Sequence, residues 1–365
     1  MICIHPIAGS WSDRWSEYCA QRSIPFVNWD IFQSGMLGRL RENQIEGVLF
    51  DLPLFDNRSA LAARHMTKAL ETLGIPAFPN QASYWHYDDK LAQFYLLQSL
   101  QLPICPTYIF YNANEALDWV ARTQFPKVWK LRNGAGSSNV RLVSSPGDAR
   151  RLITQAFGAG FYPAPTLAGD FKTKVSRHRQ QRDWGQLVRR FPATLVKVWR
   201  NHKSVPRERG YAYFQDFLAG NGCDTRITII GNRAFGFRRL VRPNDFRASG
   251  SGRIDYNSKA IDPRCLELAF AAAAKIGAPC LAFDIVFTAE QRPVLLEVCY
   301  RFVEQAIFQA PGFWDRELVF HPANIWPQDA ILEDFLPNLK PCGSAKSVVK
   351  SNAFAADLPT VRQQL

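Results

Sequence analysis

The 365-residue chain contains no run of about eighteen apolar residues, so nothing in it is long enough to cross a bilayer as a helix. Its N-terminus, MICIHPIAGSWSDRW, has neither a basic start nor a cleavable apolar core, and a cytoplasmic location is therefore expected. Eight cysteines are scattered singly at 3, 19, 105, 223, 265, 280, 299 and 342. Without CxxC pairs or a Cys/His cluster they argue against structural zinc and against a disulfide scaffold. The phosphate-binding pattern GxxxxGK[ST] is missing, as is any helix-turn-helix or RNA-binding signature, so no specific nucleic-acid partner is expected.

What the chain does have is positive charge, and it is concentrated. The net charge is +12, and between Phe171 and Gly210 twelve Lys or Arg face two acids, Asp183 and Glu208. Such a segment attracts an anion, and by charge alone nucleic acid, an acidic lipid surface and a phosphorylated or uronic substrate all satisfy it; a solvated basic face is the competing reading.

The stretch with most chemistry is Leu281 to Tyr300, LAFDIVFTAEQRPVLLEVCY. Two runs rich in β-branched and aromatic residues flank a polar turn, which predicts a hairpin. With its centre between Glu290 and Gln291, Asp284 lies opposite Glu297 on one face. Like charges opposed on a sheet are destabilising, so a positive group must neutralise them, and a hard cation such as Mg²⁺ is a candidate. The alternative is an ordinary hairpin with its acids in solvent.

Upstream, residues 1 to 80 alternate short strands with helical patterns, which implies a parallel sheet with ligands at its carboxyl ends. Ser10, Ser12 and Arg14, in the loop after the first strand, are candidate substrate contacts. A helix cap by Ser12 or Asp13 is the competing reading. Next, NQASYWHYDDKLAQFYLLQSLQ reads as a helix capped by Asp88 or Asp89, with Lys90 near its start. The segment FPKVWKLRNGAGSSNVRLV predicts strand, turn and strand. Its small-residue loop, Gly134, Gly136, Ser137 and Ser138, leaves backbone N–H groups uncovered for phosphate oxygens, while Lys130 reaches the same anion. Further on, YAYFQDF, TRITII and AFGFRRLV predict antiparallel strands. They bring Arg226, Arg239, Arg242 and Arg247 together, which is costly unless an anion lies among them. The segment PGFWDRELVFHP reads as loop, and residues from about 337 as a loosely attached tail.

In this order the pieces resemble the ATP-grasp superfamily, from about Gln81 to Leu336. The resemblance is carried by Lys90, by Lys130 with its Gly134–Ser138 loop, by the strand Gln215-Asp216-Phe217, by Asp224 and Arg226, by Arg239 with Asp245-Phe246-Arg247, and by the Asp284/Glu297 hairpin. RimK-like carboxylate–amine ligases are similar, and the WHYDDK, GAGSSNV and NDFRASGSG wording is closer to ATP-grasp proteins of bacterial surface-polysaccharide clusters.

The resemblance implies an α+β fold of two lobes enclosing ATP behind an α/β pre-ATP-grasp domain. Its divisions would be residues 1–80, a lid lobe over 81–210 with a basic insert at 155–210, a C-terminal lobe over 211–336, and the tail 337–365. It also implies that Lys90, Lys130, the Gly134–Ser138 loop, Gln215, Asp216, Phe217 and Leu218 contact ATP, and that Asp284 and Glu297 hold Mg²⁺. Arg226, Arg239 and Arg247 would grip the transferring phosphoryl group, with Arg242 beside the substrate.

The implied reaction joins an acid, on a sugar or glycan precursor, to an amine through an acyl phosphate. Phosphoryl transfer to a hydroxyl and a scaffold with weakened turnover are the alternatives. One departure stands out. Where the family reads E-x-N, this chain reads Glu297-Val298-Cys299, and a thiol is a poor ligand for Mg²⁺.

Overall fold

The computed structural model describes residues 1–52, 57–134, 139–162, 207–243 and 245–339. Gly136, Ser137, Ser138, residues 163–206 of the basic insert and all but the start of the expected tail lie outside the described residues, as does most of the 171–210 segment on which membrane contact was expected.

The first unit is the expected parallel sheet. Strands β1 (Ile2–Ile4), β2 (Phe26–Asn28), β3 (Gly47–Leu49) and β4 (Ala77–Phe78) stand in the order β2-β1-β3-β4, all parallel. β1 and β3 are wholly buried, as central parallel strands must be when helices cover both faces. On the helix Trp11–Gln21 the residues Trp11, Trp15, Tyr18 and Cys19 fall on one stripe and are buried. The helix starts at Trp11, behind Ser10, so Ser12 and Asp13 lie inside it and neither is its cap. Ser10 makes no side-chain cap, and Asp13 instead accepts a hydrogen bond from the Gly9 N–H at 2.7 Å.

The second unit is an antiparallel sheet of order β5-β8-β6-β7, made of β5 (Thr107–Phe110), β6 (Lys127–Lys130), β7 (Val140–Val143) and β8 (Ala212–Asp216). Helices Ala113–Val120 and Pro146–Phe157 pack with it in a separate apolar core built on Trp129, Ile153 and Phe214. Because β8 lies between β5 and β6, the lobe boundary falls after Asp216, one strand later than the expected break at 210. The single helix expected before it is two, Gln81–Tyr84 and Lys90–Ser99. Between them Asp88 takes a positive φ of 49°, which interrupts the helix. Asp89 caps the second one through the Ala92 N–H.

The third unit contains β9 (Cys223–Ile230), β10 (Arg233–Leu240), β11 (Ile254–Asp255), β12 (Cys280–Phe287), β13 (Pro293–Cys299), β14 (Gly312–Trp314) and β15 (Phe320–Pro322). The main path is β13-β12-β9-β10-β14-β15, with β11 on β10. β14 and β15 form a short hairpin where a loop was expected. It is too brief to show an alternation in sequence, and Gly312 is required there because a Cβ would stand 2.2 Å from the His321 carbonyl oxygen. Helix Pro263–Ile276 crosses the sheet, capped by Asp262, opened by Pro263 and closed by Gly277 at φ 71°. One continuous core joins this unit to the first, so the second unit stands over a base made of the other two. Among the described residues no helix is long and apolar enough to cross a membrane.

Candidate active site

Between the second and third units lies an open cleft. Its apolar lining comes from Val128 on β6, Phe217 and Leu218 after β8, Val286 on β12 and Leu296 on β13. Its lining also includes Lys90, Lys130, Gly134, Arg247, Asp284 and Glu297. The mixture follows from strand periodicity. Val128 and Lys130 are two apart on β6, as are Asp284 and Val286 on β12, so each strand sends an apolar and a charged side chain to the same face.

The two lysines are buried, with side chains exposed at only 6% for Lys90 and a residue exposure of 8% for Lys130. Lys130 donates to the Gln215 Oε1 at 2.6 Å, and Gln215 is fixed in turn by donating to the Thr107 hydroxyl at 3.1 Å. Burial pushes the Lys130 ammonium below its ordinary value; Glu297 opposes this and Lys90 adds to it. Lys90 sits in a more acidic pocket. It donates to the Gly134 carbonyl at 2.9 Å and lies 3.5 Å from the Glu297 carboxylate. Burial works against its charge, but Glu297 and Asp88 outweigh that and raise its pKa.

Asp88, expected only as a cap, accepts the Gly134 N–H at 2.9 Å. Gly134, at φ 128°, is thus gripped at both backbone atoms by the Asp88–Lys90 segment, which fixes the start of the small-residue loop. Asp216 also lines the cleft, and its carboxylate pairs with Lys127.

On the third unit's sheet Asp284 is opposite Glu297 as predicted, and on its other side opposite Arg226. A bulge follows, so that Ile285 pairs with Leu295 and Leu296 is the extra residue. The neutralising charge differs from the expectation. Arg226 donates two bonds to Asp284, Nε to Oδ1 at 2.7 Å and a second nitrogen to Oδ2 at 2.9 Å. Arg239 adds another to Oδ2 at 2.6 Å while gripping Asp224 at 2.7 and 2.6 Å. Burial disfavours the Asp284 carboxylate, yet the two guanidiniums prevail and hold its pKa far below the usual range.

The anion expected among the arginines is therefore the protein's own. Arg247 pairs with Asp245 at 2.7 Å, and Arg242 donates to the Ser249 carbonyl at 2.9 Å. Of the arginines predicted as phosphoryl-group contacts, Arg247 lines the cleft, while Arg226 and Arg239 do not. These long-range pairs were illegible because their partners are 58 and 45 positions apart for Asp284 alone.

Ser10, Ser12 and Arg14 do not line the cleft either. Ser10 donates to Asp51 at 2.7 Å, Ser12 bridges the N–H and carbonyl of Ile7, and Arg14 makes a two-pronged pair with Asp329 at 2.8 and 2.6 Å. The sheet's carboxyl end is instead closed by Asp51, fully buried and clamped by Arg301 at 2.6 and 3.1 Å.

The acid pair does not fit a two-carboxylate Mg²⁺ site. Three of the roughly four acceptor positions of Asp284 are taken by guanidinium donors, and among the described residues no group of three or more His, Cys, Asp or Glu is arranged to hold a metal. Cys299 donates its thiol to the Arg301 carbonyl at 2.9 Å, and burial pushes its pKa up to about 12, so it stays a neutral thiol. Glu297, about one-third exposed, is the remaining acid with an open edge.

No protein family model and no curated protein matches the sequence. Solved structures do match in shape. A RimK-domain ATP-grasp protein from Sphaerobacter thermophilus is 15% identical with a TM-score of 0.54, over 92% of this chain and 99% of that one. The ATP-grasp ligase PsnB bound to a minimal precursor is 14% identical with a TM-score of 0.51, over 84% and 92%. The biotin carboxylase domain of Hydrogenobacter thermophilus 2-oxoglutarate carboxylase, solved with MgADP, ADP and bicarbonate, is 12% identical with a TM-score of 0.54, over 90% and 68%. At these identities the likeness is one of architecture. The chain has the ATP-grasp fold, two α+β lobes facing across a cleft, behind an α/β domain.

Proposed function

We propose that the protein is an ATP-dependent ligase that joins a carboxylic acid to an amine. The observation that carries this reading is the cleft itself: Val128, Leu218, Val286 and Leu296 line it together with a pair of buried lysines. An apolar lining of that kind suits a planar purine, and two ammonium groups in the same cleft suit a polyphosphate. Lys130 supports the reading most strongly. Its neutral amide partner leaves its charge uncompensated at short range, so a phosphate oxygen gains more there than beside a lysine already paired to a carboxylate.

In the proposed reaction the acid's carboxylate oxygen attacks the terminal phosphorus of ATP, and the bond to the ADP oxygen breaks. The amine nitrogen then attacks the acyl carbon, inorganic phosphate leaves, and the nitrogen loses a proton. Lys130 and Lys90 hold the phosphates and Arg247 faces the transferring group, while Gln215 orients Lys130. Catalysis here is placement and charge neutralisation. No step is routed through a metal. We take the acid to be a sugar or glycan acid, in keeping with the basic insert at 155–210, and the location to be cytoplasmic or at the inner membrane face.

The test is ADP release across a matrix of acids and amines. Release that needs one of each supports the ligase. Release with a sugar alcohol alone would replace it with hydroxyl phosphorylation. Nucleotide binding without release in any combination would make the chain a binding scaffold, the reading that the neutral thiol of Cys299 favours.

A further inference from the structure

Asp284 and Glu297 look equivalent in sequence, and the sheet places them side by side, yet their surroundings divide them. Across three adjacent strands one face of the sheet reads Glu297, Asp284, Arg226. Two residue pairs further along, and so on the same face, Asp224 stands opposite Arg239. The carboxylate of Asp284 is consumed by this lattice. It receives Arg226 in a two-pronged pair and Arg239 in a third bond, while Arg239 is itself two-pronged on Asp224. Asp284, Asp224 and Arg239 are each less than one-tenth exposed. A divalent ion approaching Asp284 would meet two guanidiniums at its far side and would have to displace at least one short charged bond, leaving a buried arginine unpaired. Glu297 has no such neighbours. Its only charged partner among the described residues is Lys90, at 3.5 Å, and its side chain is 32% exposed.

We infer that Asp284 is a positioning residue that fixes Arg226 and Arg239, and that Glu297 is the single carboxylate among the described residues that contacts the metal of a bound nucleotide. This rests on the nucleotide reading given above. It assigns different work to two acids that their spacing makes look alike, and it explains how Cys299 is tolerated: with Asp284 occupied, there is no second ion for position 299 to complete. The metal is then held chiefly by phosphate oxygens and water, as suits Mg²⁺.

The experiment titrates Mn²⁺ into the full-length chain saturated with a non-hydrolysable ATP analogue and counts bound metal by electron paramagnetic resonance. Calorimetry of the analogue with and without metal is run in parallel, with thermal unfolding on every variant. The expected result is one Mn²⁺ per chain. Glu297→Gln should weaken it at least tenfold, whereas Asp284→Asn should lower the unfolding temperature further than Glu297→Gln does, since Asp284 has two guanidinium partners and Glu297 one ammonium, and should change Mn²⁺ affinity less than threefold.

Should Asp284→Asn fail to fold, Arg226→Gln reads the same point from the other side. Freeing part of Asp284 should tighten Mn²⁺ or admit a second ion. Two ions in the unaltered chain, a loss of Mn²⁺ in Asp284→Asn equal to that in Glu297→Gln, or no gain in Arg226→Gln would overturn the assignment while leaving the nucleotide site standing. No binding of the analogue under any condition would overturn both.

Discussion

Two regions meet at the cleft, and both are rich in buried charge. On the second unit, Lys130 is buried against a neutral amide, Gln215. On the third, Arg226 and Arg239 are buried against two carboxylates, Asp224 and Asp284. The difference is one of spent and unspent charge. An arginine tied by two or three short bonds to carboxylates contributes little field beyond them, whereas an ammonium facing an amide keeps more of its attraction for an incoming anion. The first arrangement holds a sheet together. The second presents a buried ammonium to the cleft, although both look in sequence like basic residues on strands.

The comparison is broken most forcefully by removing Arg239. Arg239→Ala leaves Asp224 and Asp284 buried beside a single guanidinium, and the expected loss is about 3–5 kcal/mol, read as the free energy of denaturant unfolding. Lys130→Ala should do the opposite. Its removal relieves a buried charge and should not destabilise the fold, but nucleotide affinity measured by calorimetry should drop by about 2 kcal/mol, the scale of a charged hydrogen bond.

The same lysine predicts a pH dependence. Its pKa is lowered by burial, and only the ammonium attracts phosphate. Affinity should therefore be full at neutral pH and fall as pH rises through a value below the ordinary lysine range, by up to about tenfold per unit. Lys130→Arg, which does not deprotonate in that range, should flatten the profile. The smallest effect is expected at position 299. The Cys299 thiol is committed to the Arg301 carbonyl, so Cys299→Asn should change nucleotide affinity by less than about twofold, roughly 0.4 kcal/mol.

Legibility followed range. The pairing of Asp284 with Glu297 could be read from the hairpin pattern because both strands and their turn are local, and the register holds from Ala282–Cys299 to Asp284–Glu297. The bulge beyond it could not, since a strand sequence does not show which residue is extra. The parallel sheet of residues 1–80 was likewise plain from alternating strand and helix patterns.

What escaped was the choice of partners. Arg14 reaches Asp329, Asp51 reaches Arg301 and Asp284 reaches Arg226, and each pair is brought together only by tertiary packing. A loop serine or an arginine near a strand end then reads equally well as a substrate contact or a structural clamp. For Ser10, Ser12 and Arg14 the structure chose the clamp. Asp88 carried a faint signal: in Asp88-Asp89-Lys90 one acid suffices to cap the helix, and the other was free to hold Gly134.

The central claim is that a nucleotide lies in the cleft with its base against the apolar lining and its phosphates toward Lys130. Photolabelling with 8-azido-ATP followed by peptide mapping tests it directly. The account predicts ATP-protectable label on peptides carrying Val128, Phe217–Leu218 or Val286–Leu296, and its disappearance in Lys130→Ala at the same probe concentration. Protectable label confined to residues 1–80, or label indifferent to Lys130, would contradict it.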